Sequence, residues 1–291
     1  MKVFTFIEDA WSMGRVHHDS ANSLPDMQFT YAHWFKYDWQ DVVTKFNDAD
    51  VCITGMLSVN FFKSCFPQFN LKKCLFVTHG IEFDPAKFPD ESLVYGITST
   101  YLQQFFPKET KVFLTPNGVD PANFTYTPRD GSLKKLGWCG APSRDVKQIS
   151  WAIEISAKTN IPLSIASKVP CEEDVGKWVP MTYDEVREWY HTVDLLLVTS
   201  TLETGPLPAF EAIVSGIPVI GTSVGNFANI PGPKFTSIEE GIEIVKSLTS
   251  EKMIELAKEQ YDYVMANYTY ASFADKWRKA IQYVYSQNEH T

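Results

Sequence analysis

The chain has 291 residues, room for two domains of about 150 residues and for a core that needs no disulfide or metal staple. Apolar residues make up 44% and charged residues 21%, a balance that excludes a disordered chain. Lysine plus arginine number 26 against 35 aspartate plus glutamate, and the formal charge of −9 gives no overall field for nucleic acid or an anionic membrane. Residues 3–7, 28–33, 51–54, 74–78, 93–97 and 112–114 read as strands; 14–24, 39–47, 58–66 and 99–106 read as helices between them. Proline, glycine, asparagine and aspartate then crowd into 115–121 and 127–131, the composition of a turn-rich linker.

Beyond the linker the alternation restarts. Strands are expected at 135–138, 163–166, 195–199 and 219–221, and helices at 145–158, 184–191, 207–215, 238–248, 252–267 and 270–285. Strands alternating with helices predict parallel sheets joined by right-handed crossovers. The expected class is α/β, with two Rossmann-like doubly wound domains facing each other across a cleft: 1–118, then 119–268, with the helix in 269–291 packing back toward the first. Five cysteines (Cys52, Cys65, Cys74, Cys139, Cys171) are odd in number and lack C-x-x-C spacing, which predicts a reducing compartment. The N-terminus turns acidic too early for a signal-peptide core, and the longest apolar stretch, 212–221, is too short to span a bilayer. A cytoplasmic protein without membrane association is expected; the oligomeric state stays open.

The segment 194–221 carries the chemistry. An apolar strand ends near Thr199, a loop bears Glu203, Thr204 and Gly205, and a helix is expected to start at Pro206 and Leu207, with Glu211 one turn inside. Proline suits a first helical position because its missing N–H is not needed there. Helix N-termini present unpaired amides and partial positive charge to phosphate oxygens, and glycine lets a ligand approach the backbone. Either acid alone reads as a solvated surface group; as a pair after a buried strand they suit sugar or ribose hydroxyls. Arg144 and Lys147 at the expected start of a helix are mildly misplaced against its dipole, which favours an anion held there.

These residues resemble the GT-B glycosyltransferases, and within them the retaining family 4 group. Glu203 and Glu211 match its E-x7-E motif, continued by Ser215-Gly-Ile-Pro-Val-Ile220. Thr115-Pro-Asn-Gly-Val-Asp120 resembles its interdomain segment, and the run from Leu136 through Gly140 to Arg144, with Lys147, its glycine-rich donor-domain start. Phe76-Val-Thr-His79-Gly80 resembles the loop whose histidine faces the donor sugar, and Trp11-Ser-Met-Gly14-Arg15 the first glycine-bearing loop. Two departures stand out: Pro206 replaces the usual glycine, and the first loop has one glycine instead of two.

The resemblance implies transfer of a sugar from a nucleotide-diphosphate sugar to a hydroxyl acceptor, with retention of configuration. It implies no cofactor and no protein nucleophile, the departing phosphate taking the acceptor proton. Arg144 and Lys147 would meet the diphosphate, Glu211 the ribose, Glu203 and His79 the sugar. Gly205, Thr204, Pro206 and Leu207 would border the phosphates, Gly140 and Gly14 would give them room, and the base would rest near Lys168 and Val179. A glycan or small-molecule acceptor is favoured. A nucleotide-sugar 2-epimerase and a non-catalytic sugar-nucleotide-binding protein remain as alternatives.

Three further patterns are weighed. His17, His18 and Asp19 point in different directions on one short helix, so surface or cleft polar residues are expected rather than metal ligands. Asp48-Ala-Asp50 precedes a strand, which makes a helix-end turn the better reading than a metal motif; no catalytic metal is expected. Phe29, Tyr31, His33, Phe35, Tyr37 and Trp39 share one parity, and the later members are a candidate stacking platform for the acceptor.

Overall fold

The computed structural model describes residues 1–7, 12–56, 58–80, 90–168 and 177–288. Trp11 and Cys171 lie outside them. The chain divides into two compact units, Met1–Gly118 with Tyr270–Thr291, and Val119–Thr269.

Unit 1 runs β1 (Lys2–Ile7), α1 (Ser12–Asn22), β2 (Gln28–His33), α2 (Trp39–Asp48), β3 (Val51–Gly55), α3 (Ser58–Cys65), β4 (Cys74–Thr78), β5 (Val94–Ile97) and β6 (Lys111–Leu114). The six strands form one parallel sheet in the order β2-β1-β3-β4-β5-β6. Near-continuous apolar runs such as Cys74–Thr78 suit strands covered on both faces. Phe4, Phe6, Phe46, Phe62, Phe76 and Tyr95 are fully buried in its core. Asp38 caps α2 by accepting a hydrogen bond from the Asp41 amide. At its other end Asp48 and Asp50 both hold Lys2, so Asp48-Ala-Asp50 is a structural turn.

Unit 2 runs β7 (Leu136–Cys139), α4 (Ile149–Thr159), β8 (Leu163–Ser167), β9 (Lys177–Pro180), α5 (Tyr183–Tyr190), β10 (Leu195–Val198), α6 (Leu207–Val214), β11 (Val219–Gly221), α7 (Ile238–Ser247) and α8 (Ser250–Asn267). Its parallel sheet has the order β11-β10-β7-β8-β9. Leu136, Trp138, Ile155, Ile165, Leu197 and Phe235 build the core. The buried Gln260 amide closes the edge: its Oε1 accepts from the Val219 amide at 2.8 Å, and its Nε2 donates to the Val219 carbonyl at 2.7 Å.

The final helix, α9 (Tyr270–Asn288), belongs to unit 1. Trp277 is buried there and its Nε1 donates to the Pro116 carbonyl at 3.2 Å. Arg278 pairs with Asp26.

Four expectations need correction. The helix expected over 145–158 is a short 3-10 turn, Asp145–Lys147, then Gln148 in the left-handed region (φ 46), then α4. The segment expected as a helix over 99–106 is a 3-10 turn, Thr100–Phe105. β9 was not among the expected strands; it is a four-residue edge strand ending at proline, too short to show alternation. The aromatic row also breaks, because β2 stops at His33 and the parity does not carry through the turn to Trp39.

Candidate functional site

Strand order in unit 2 reverses between β7 and β10, and ligands of such sheets bind beyond the strand ends at that point. The loops after these two strands are stitched together by backbone and side-chain hydrogen bonds. Thr199 Oγ1 accepts from Trp138 Nε1 at 3.0 Å and donates to the Lys147 carbonyl at 2.8 Å. The Thr201 amide donates to the Val146 carbonyl at 2.8 Å. The left-handed Gln148 ends the 3-10 turn directly after Lys147.

The lysine ammonium forms an ion pair with Glu203, whose Oε1 also accepts from Ser200 Oγ at 2.9 Å. The two side chains are only 16% and 14% exposed, so this pair is better shielded than a surface ion pair. Lys147 and Glu203 thus meet each other, although the sequence assigned them to separate parts of a ligand. With Cys139, Ser200, Pro206 and Pro208 they line a narrow crevice. Arg144 sits exposed one residue before the 3-10 turn. The Gly140 amide donates to the Ala166 carbonyl at 3.1 Å, and a side chain there would come within 3.1 Å of the Trp138 ring.

Beyond Glu203, Thr204 and Gly205 are buried. Gly225 lies behind them at φ 46, where a Cβ would stand 2.6 Å from the carbonyls of both Glu203 and Thr204. The Asn226 amide donates to the Thr204 carbonyl at 3.1 Å. Pro206 is the residue before α6, so Leu207 and not the proline opens the helix. Pro206 and Pro208 lack N–H groups and the Ala209 amide donates to the Pro206 carbonyl at 2.9 Å. Gly205 and Leu207 therefore carry the amides with which this turn can meet an anion. Glu211, expected to meet the ribose, is 4% exposed and accepts from Tyr190 Oη at 2.8 Å. Burial first, and then the Glu211 charge, push the Tyr190 phenol well above its ordinary pKa, so it stays a donor.

Lys168 follows the end of β8, and Val179 pairs with Ala166 within β9. In unit 1, Gly14 lies in the first turn of α1. His79, after β4, engages His17 Nε2 to Nε2 at 3.0 Å, and His17 also meets Trp277 edge-on. His17 is 3% exposed, so it is not a surface residue. Among the described residues, no group of three His, Cys, Asp or Glu side chains is placed to hold a metal ion, and no helix is long and apolar enough to cross a membrane.

The sequence reading missed Ser200, Tyr190, Gly225 and Asn226. Gly225-Asn226 was legible as a turn signal after β11; Tyr190 carried no signal, since a tyrosine late in an amphipathic helix reads as core.

No protein-family model and no curated protein sequence matches the chain. Its structure does match solved ones. HepE from Anabaena, crystallised with UDP and glucose, superposes with a TM-score of 0.75 at 14% identity, over 97% of this chain and 99% of that one. The fold is GT-B. Sucrose-phosphate synthase from Thermosynechococcus elongatus gives 0.72 at 14% identity, over 99% of this chain and 100% of that one. A glycosyltransferase from Rickettsia africae gives 0.73 at 12% identity, over 97% of this GT-B chain and 98% of that one.

Proposed function

We propose that the chain is a glycosyltransferase that moves a sugar from a nucleotide-diphosphate sugar to a hydroxyl acceptor, with retention of configuration and without a metal ion. The observation that carries this reading is the Lys147–Glu203 pair at the strand-order reversal of unit 2, beside the Gly205 turn. It gains support from structural neighbours crystallised with UDP and UDP-glucose.

An ammonium has three donors, so Lys147 can keep Glu203 and still serve phosphate oxygens. Arg144 adds a second cation, and the Gly205 and Leu207 amides complete the seat for the diphosphate. Glycosyl transfer develops positive charge on the sugar and negative charge on the leaving group. Preorganised cations that neutralise the departing diphosphate are then the main catalytic contribution. Glu203 orients the sugar. Tyr190 fixes the Glu211 carboxylate, which retains acceptor capacity for a ribose hydroxyl. His79 is the contribution of unit 1 to turnover, and the departing phosphate takes the acceptor proton.

A panel of UDP-, GDP-, ADP- and dTDP-sugars, assayed with and without EDTA, tests the reading. Slow release of free sugar, unchanged by the chelator, is expected, and an acceptor product should keep the donor's anomeric configuration by NMR. A 2-epimer would replace the transferase with an epimerase, and binding without turnover would leave a sugar-nucleotide-binding protein.

A further inference from the structure

Unit 1 has its own reversal of strand order, between β1 and β3. A hollow of about 250 Å³ lies there, lined by Phe6 of β1, by Trp34, Phe35 and Tyr37 after β2, and by Ser58 and Phe61 of α3. Its walls are held in place. Trp34 Nε1 donates to the Phe6 carbonyl at 3.0 Å. The indole lies so close over Gly55 that a Cβ there would come 2.8 Å from the ring. Phe6 stacks on Phe61 at 6.1 Å, and Tyr37 stands edge-on to Phe6 at 5.5 Å. Phe35, by contrast, is 81% exposed at the rim.

The polar supply is small: among the lining side chains only Trp34, Tyr37 and Ser58 carry a polar atom. The Trp34 N–H is used by Phe6. Thr54 Oγ1 donates to the Phe6 carbonyl at 2.7 Å and shares a second contact with Ser58 Oγ at 3.0 Å. One proton cannot serve both, so Ser58 donates to Thr54 and keeps lone pairs that can accept from a ligand. A sugar ring carries several hydroxyls, and burying them here would leave most without partners. A flat aromatic ring needs only stacked and edge-on neighbours. The volume lies just below the usual range for whole ligands, about 300–1,000 Å³, which fits one or two fused rings.

We propose that this hollow binds a planar aromatic group bearing a hydroxyl. Its role as the apolar part of the acceptor rests on the glycosyl-transfer reading; the pocket itself does not. In the transfer, the bond from the anomeric carbon to the diphosphate oxygen breaks with its electron pair leaving on the nucleotide. The ring hydroxyl oxygen bonds to the anomeric carbon, and its proton passes to the departing phosphate.

The test titrates the full chain with 2-naphthol, with methyl α-glucopyranoside as the sugar control, by saturation-transfer NMR. Saturable naphthol binding and none of the glucoside are expected. Phe35→Ala, at an exposed position, should weaken naphthol about tenfold, and Gly55→Ala should weaken it by crowding Trp34, while both keep wild-type affinity for UDP. Equal naphthol affinity in Phe35→Ala, absence of naphthol binding, or displacement of naphthol by the glucoside overturns the pocket. Naphthol that binds but yields no naphthyl glycoside with a turned-over donor overturns its acceptor role. Failure of the wild type to bind any nucleotide sugar sinks the donor reading and leaves the naphthol titration as an independent result.

Discussion

The Nε2 atoms of His17 and His79 lie 3.0 Å apart, a contact that bonds only when one ring carries the proton there and the other does not. Burial lowers the His79 pKa to about 4; burial and then the neighbouring His79 hold that of His17 well below its ordinary value. Both rings are therefore neutral at pH 7. Unfolded, each titrates near pH 6.5, so the unfolded chain takes up more protons as the pH falls below that point. The pair's stabilisation is intact above about pH 6.5 and is lost as the pH drops toward 4. Urea unfolding at pH 7 and pH 4.5 should show a loss of about 2 kcal/mol from His79 and a further loss from His17, so a smaller total in His17→Asn. Equal losses in both proteins would refute the assignment.

Lys147 and Glu203 should behave as one unit. Lys147→Ala is expected to cut donor turnover by about 10²–10³-fold, the usual cost of removing a group that stabilises developing negative charge. Glu203→Ala should cut turnover to a small but measurable remainder and leave the circular dichroism spectrum unchanged. The double variant should lose less than the product of the single losses, since each removes the other's partner. Strictly multiplicative losses would show that the two act separately.

Gly225 touches no proposed ligand, yet its substitution should be felt in donor binding. An added methyl would stand 2.6 Å from the Glu203 and Thr204 carbonyls, so the loop must shift. Gly225→Ala should weaken nucleotide affinity about tenfold by calorimetry and destabilise by about 1–3 kcal/mol, the scale of local backbone strain. Unchanged affinity would mean that the loop position does not matter.

Tyr190→Phe removes a donor from the buried Glu211 carboxylate. The cost should be about 1–3 kcal/mol in thermal or urea unfolding, with a raised KM for the donor and little change in kcat. A neutral effect on both stability and KM would detach Tyr190 from the site.

Much of this arrangement was legible in the chain itself. Runs such as Cys74–Thr78 and Leu195–Val198 are apolar enough to mark buried parallel strands, and the glycine and proline around residues 115–121 mark the passage between units. The spacing from Glu203 to Glu211 placed one acid on the loop and one on α6. What periodicity could not show was pairing between distant residues. Lys147 and Glu203 are 56 positions apart and His17 and His79 are 62, so their contacts depend on strand order. The break at Gln148 was hidden for a different reason: a left-handed residue other than glycine or asparagine carries little sequence signal. The alternation of β2 ends at His33 and does not run through the following turn, yet Phe35 and Tyr37 still line one hollow.

The sheet of unit 1 is completed by a helix that lies beyond unit 2 in the chain. Trp277 reaches the Pro116 carbonyl across 161 positions, and Tyr283 meets Phe113 with ring centres 5.0 Å apart. Unit 2, by contrast, is an uninterrupted stretch, Val119–Thr269. During translation the later-made half can therefore close its core while the earlier-made half still waits for its covering helix. A fragment stopped at Gly118 would leave the faces beneath Trp277 and Tyr283 bare.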